Sequence, residues 1–204
     1  MPFLLTALLG LWEVGRMVQV QNLAANAARE GGRQAAAGIN NNATICQNVV
    51  NDLVMNGLSN ISYTSVSGST TSGSNVVSVP STTGLSPGQT ITGTGIPTGT
   101  TIVSVNNGSN QITLSQNATA TGSGVSMIGS NISVTLTNAT NASRSNPQTA
   151  NQLDQFNMTV TIPYSVIRWS VVAQITPTTA ISVTATWYSM MDTPCSINTT
   201  IPSN

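Results

Sequence analysis

The first 37 residues constrain this chain more than any other stretch of it. No proline follows Pro2 within them, and a proline at a helix start is tolerated because that N–H has no partner inside the helix. The segment Phe3-Leu4-Leu5-Thr6-Ala7-Leu8-Leu9-Gly10-Leu11-Trp12 is apolar all round, and Val14, Met17, Val18, Val20 and Leu23 continue an apolar face. The alanines of Ala24-Ala25-Asn26-Ala27-Ala28 and Ala35-Ala36-Ala37 favour helix and let a neighbour approach closely. Gly38 is the expected stop. At about 1.5 Å per residue such a helix is about 55 Å long, more than a small β domain can cover. Leu5, Leu8, Leu9, Trp12, Val20, Leu23 and Ala27 are therefore candidate contacts of an assembly helix. The apolar run of about a dozen residues falls short of the ~20 that span a bilayer. It also lacks the basic leading region and cleavage site of a secretory signal, as a processed chain, or one whose upstream sequence is omitted, would.

Beyond the helix the texture changes. Ile45, Val49, Leu53 and Val54 recur at helical spacing, which predicts a second, short helix within residues 40–58, ended by Gly57. Alternating apolar and polar residues then predict strands at 61–66, 76–79, 90–92, 101–105, 111–115, 132–137, 156–162, 169–175 and 181–188. The fold class expected is α+β: a long N-terminal helix followed by a mainly antiparallel β globular domain with an inserted β module. In residue ranges this is 1–37 for the assembly helix, 38–65 with 128–204 for the globular domain, and 66–127 for a Ser/Thr/Gly-rich insert. The insert holds two similar phrases, beginning at Gly84 and Gly95, between linker-like flanks at 67–75 and 120–124. It resembles small β modules inserted into bacterial surface and phage proteins; the competing reading is one larger continuous sheet.

Charge excludes more than it suggests. Only 5% of residues are charged, where about a quarter is ordinary, and the apolar share of 39% is too low to explain this by burial in lipid. Ser, Thr, Asn, Gln and Gly fill the difference, as suits a secreted surface packed against copies of itself. No basic face exists to release counterions, which argues against nucleic acid. Catalysis is disfavoured too, since the chain has no His and no Lys, and its carboxylates Glu13, Glu30, Asp52, Asp154 and Asp192 are scattered. No catalytic residue, cofactor site or Cys/His metal cluster is expected; a calcium site of carbonyls, Asn and a single Asp stays open.

Two cysteines, Cys46 and Cys195, flank the non-helical part. They read either as one disulfide closing a long loop in an oxidising compartment or as two buried thiols. Nine Asn-x-Ser/Thr sequons start at Asn42, Asn60, Asn107, Asn117, Asn131, Asn138, Asn141, Asn157 and Asn198. They are glycan attachment points or the arithmetic of an Asn/Ser/Thr-rich chain.

The phrases Leu8-Leu9-Gly10-Leu11-Trp12-Glu13-Val14-Gly15-Arg16 and Asn26-Ala27-Ala28-Arg29-Glu30-Gly31-Gly32-Arg33 resemble the TadE/TadG-like pilin family, whose members carry a hydrophobic helix, a Glu-x-Gly-Arg element and an Ala-Ala-Arg-Glu-Gly-x-Arg element. The segment Val160–Ser165 with Arg168-Trp169 is similar to the family's C-terminal strand region. The family's leader with its processing site, and its further acidic residue near the mature N-terminus, are not seen before Phe3. The resemblance implies a pilin-like subunit of a tight-adherence secretion system, drawn from the inner membrane and polymerised with identical or related subunits through its N-terminal helix. Such a subunit is extracellular, with its β domain exposed to glycans or other surfaces.

Glu13 and Arg16, three apart, can pair along the helix. Between packed helices such a pair fixes register, because an unpaired buried charge costs several kcal/mol; on a wet face it contributes little. Arg29, Glu30 and Arg33 read either as cross-subunit pairs or as a solvated face. A reading from another class is a membrane-anchored surface- or carbohydrate-binding module, with Tyr63, Tyr164, Trp169, Trp187 and Tyr188 as its available aromatics.

Overall fold

A computed structural model describes residues 2–167 and 180–191, with Pro2 and Phe3 described by their backbone alone. Helix α1 runs unbroken from Pro2 to Ala37. Gly38 stops it in the left-handed region, at φ 65°, with its N–H on the Ala35 carbonyl. Asn41 then caps α2 (Asn42–Met55), its side-chain oxygen accepting the Thr44 N–H at 2.8 Å. Ile45, Val49 and Leu53 of α2 are buried, so the expected helical spacing marks the face laid against α1.

Strands β1 (Tyr63–Thr70), β2 (Val76–Ser78), β3 (Thr90–Gly93), β4 (Ile102–Asn106), β5 (Gln111–Leu114) and β6 (Gly122–Ser130) form one sheet in the order β3-β6-β1-β2-β5-β4. A second sheet, β7-β8-β9, joins β7 (Ser133–Asn138), β8 (Gln155–Pro163) and β9 (Ala180–Tyr188). Every named pairing is antiparallel. The chain is α+β, a long N-terminal helix followed by antiparallel sheets.

Each sheet has its own apolar interior. Phe156, Met158, Val160 and Ile162 alternate along β8, all fully buried, facing Val20, Ala24, Ala27 and Ala28 of α1 and the buried side of α2. Val77, Ile91, Ile102, Ile112, Leu114 and Met127 fill the other interior, and the two clusters share no residue. Fully burying a side chain of this kind is worth roughly 1.5–3 kcal/mol. With few aromatics, stability must come from many such aliphatic contacts.

The expected linkers at 67–75 and 120–124 are in part strand. β1 extends to Thr70 and β6 begins at Gly122. Gly68 sits where an added Cβ would meet the Met127 side chain and approach the Ser78 carbonyl oxygen to 2.9 Å. Its glycine is thus a close approach of backbones within the sheet, which composition alone reads as looseness. The strand expected at 169–175 lies outside the described residues.

Where the two sheets meet, short polar side chains tie the chain to itself. Asn131 accepts the Ser62 N–H at 2.7 Å and donates to the Asn60 carbonyl at 2.8 Å. Buried Ser130 donates to a backbone carbonyl while its oxygen accepts the Ile132 N–H, and buried Gln89 reaches the Ser62 hydroxyl at 2.7 Å.

Candidate assembly surface

Helix α1 divides into two unlike halves. From Val20 onward it belongs to the chain's own core: Val20, Ala24, Ala27, Ala28, Ala35 and Ala36 are fully buried. Two adjacent glycines allow this approach. A Cβ on Gly31 would stand 2.5 Å from Val49 Cγ2 and 2.8 Å from Met158 Cε, and one on Gly32 would run into the Trp187 ring. Mid-helix glycine costs about 1 kcal/mol against alanine; here the contact with α2, β8 and β9 offsets it.

The preceding half is largely exposed. Leu4, Leu5, Leu8, Leu11, Trp12, Val14 and Val18 are between 51% and 73% exposed, and only open space surrounds Gly10 and Gly15. Of the expected contacts, Leu5, Leu8 and Trp12 are exposed, Leu9 and Leu23 half-buried, whereas Val20 and Ala27 face inward and are closed to a neighbour. Among the described residues, no helix is long and apolar enough to cross a membrane.

The charged groups mark the transition between the halves. Glu13 and Arg16 do not pair with each other. The Glu13 carboxylate accepts the hydroxyl of Tyr164, a buried residue opening α3 (Tyr164–Ile167), while Arg16 Nη1 donates to Gln19 Oε1 at 3.4 Å. The reason is positional: the end of β8 brings a phenol to the helix, and the half-buried Glu13 carboxylate takes that donor while Arg16 turns to Gln19. Trp12, Glu13, Arg16 and Gln19 together line a cleft of about 360 Å³. Farther on, Arg33 grips Glu30 with two bonds of 2.6 and 2.8 Å, which holds the Glu30 carboxyl below its usual range. Arg29 donates to Asn26 at 3.1 Å. Within the chain these three form a local, solvent-facing set.

Cys46 is a buried free thiol donating to Asn42 Oδ1 at 3.3 Å, and burial pushes it up to about 11. Cys195, the other half of the expected bridge, lies outside the described residues, as does Asn198. Among the other sequons Asn60, Asn107 and Asn117 are exposed. Asn42, Asn131, Asn141 and Asn157 are half-buried, and Asn138 is buried with its amide on the Arg144 carbonyl and Asp154. Among the described residues no group of three His, Cys, Asp or Glu side chains is placed to hold a metal.

A comparison with known families bears on the helix alone. The model of the TadE-like protein family matches residues 1–33. The N-terminal helix is TadE-like. No curated protein and no solved structure matches the chain. The TadE-like match covers both the exposed half and the Glu13 and Arg29–Arg33 elements, so the similarity lies in the N-terminal helix. The sequence reading missed Tyr164 as the partner of Glu13 and the steric role of Gly31 and Gly32. A glycine pair inside a helical pattern was the available signal for the second; nothing local signals the first, because its partners are 151 positions apart.

Proposed function

We propose that the chain is a structural subunit of an extracellular pilus-like filament, with the TadE-like helices bundled inside and the two sheets displayed outward. One observation supports this most: among the described residues Leu4, Leu5, Leu8, Leu11, Val14 and Val18, all on the leading half of α1, are each more than half exposed. Association costs about 4–15 kcal/mol, and each such side chain offers roughly 1.5–3 kcal/mol when fully buried, so a bundle of copies is favoured once several are covered. Before assembly the same surface is held at the inner membrane. The role is structural rather than enzymatic.

Removal of detergent from the purified chain is expected to give fibres in electron micrographs. A Leu8→Glu, Leu11→Glu double variant is expected to stay dispersed with its circular dichroism unchanged. Wild-type chain that remains monomeric in aqueous buffer, helix intact, overturns the reading.

A further inference from the structure

The outer face of the β7-β8-β9 sheet carries a regular array of neutral hydrogen-bonding groups. Register sets Ser133, Thr161 and Ser182 in one row, Thr135, Thr159 and Thr184 in the next, and Thr137, Asn157 and Thr186 in a third. Sheet geometry spaces these groups about 4.8 Å across the strands and about 6.8 Å along them. The rows are tied laterally: Thr159 to Thr184, Thr161 to Ser182 and Thr186 to Asn157, each at 2.9 Å. None of the nine positions is charged.

Both ends of the array are bounded by aromatic rings. At one end Tyr188, 55% exposed, stands opposite Gln155 in the next row. At the other, Ser133, Thr135 and Thr161 run into a cleft of about 210 Å³ whose far wall is Tyr63, Thr90 and Thr92 of the larger sheet.

We propose that this face binds a neutral polysaccharide lying along the strands from Tyr188 into the cleft. A hydroxyl has one donor and two acceptor lone pairs. The Thr159–Thr184 and Thr161–Ser182 pairs therefore each keep one hydroxyl donor and spare acceptors, while in the third row Thr186 spends its donor on Asn157 and the Asn157 amide supplies the N–H groups; groups held in place before a ligand arrives lower the ordering cost of binding. Sugar hydroxyls likewise both donate and accept. An anionic polymer finds no counter-charge on these nine positions, and an apolar partner would strand their hydroxyls without water. The exposed ring of Tyr188 supplies the flat apolar body that the weakly polar face of a sugar ring stacks upon. Binding at this face does not depend on polymerisation of the helix.

The test is gel retardation of the full chain, in a polyoxyethylene detergent without a sugar head, by dextran and mannan, with pull-down on cellulose and chitin and with alginate as the anionic control. Retention by at least one neutral polymer is expected, unchanged between low and high salt because no ion pair is involved. A Thr159→Val, Thr184→Val double variant is expected to bind at least tenfold more weakly, Tyr188→Ala likewise, and Thr159→Ser with Thr184→Ser to bind as wild type. The serine variant decides the matter if the valine variant misfolds: loss of binding there counts against the hydroxyl array. No retention by any neutral polymer, full binding by a folded valine variant, or salt-sensitive binding to alginate alone each overturns the proposal. So does a change in self-association of the valine variant without polymer, which would assign the face to a second copy.

Discussion

Tyr164 and Glu13 show how one phenol settles the fate of a charge. Tyr164→Phe removes a hydrogen bond to a carboxylate, a class worth about 1.5–3 kcal/mol, and for a chain of this size is expected to lower the melting temperature by roughly 4–10 °C. Asp154 gives a pH signature. The Asn151 N–H, then the Asn138 amide and the Arg144 charge, hold its carboxyl below the ordinary value against the opposing effect of burial. A depressed carboxylate stabilises the fold above its ordinary range near pH 4, and that stability is lost as pH falls through the lower folded value. Asp154→Asn should flatten this acid limb in melting curves taken between about pH 2 and pH 5. Cys46 runs the other way. Its raised folded value leaves stability intact below its ordinary value of 9.0 and erodes it as pH climbs toward about 11, so a thiol reagent at neutral pH should label Cys46 only after denaturation.

At the level of the element, α1 is one helix with two environments, and glycine separates them. Gly32→Ala drives a methyl into the Trp187 ring and is expected to cost about 1–3 kcal/mol by overpacking. Gly10→Ala and Gly15→Ala meet nothing and should raise stability by up to about 1 kcal/mol; differential calorimetry separates the two classes. The helix itself was legible because its apolar run, alanine runs and terminal Gly38 are local signals. α2 was legible for the same reason, with Ile45, Val49 and Leu53 at helical spacing. β6 was not: Gly122-Ser-Gly-Val-Ser-Met-Ile-Gly-Ser gains its strand character from β1 and β3 on either side, a tertiary effect that no window of sequence contains. The hydroxyl array was illegible for a related reason. Alternation along 133–137 and 156–162 could be read, but the register that aligns Thr135, Thr159 and Thr184 exists only once the strands pair.

Across the whole molecule, the two apolar interiors are separate, and the larger sheet connects to the remainder through β1 and β6. Val66 faces Met127 and Ser67 faces Ser126 across that pair, so both chain crossings are side by side. Replacing residues 68–125 by Asn-Gly closes a hairpin there, and the shortened chain is expected to keep the helical circular dichroism and the β7-β8-β9 sheet. An unfolded product would show that the 66–127 segment is part of a common interior. The paired crossings also make Ser67 and Ser126 a docking port for foreign sequence. Any compact peptide whose own ends lie close together could be spliced between them, and every copy of the chain would carry it as a passenger, leaving the α1 surface untouched.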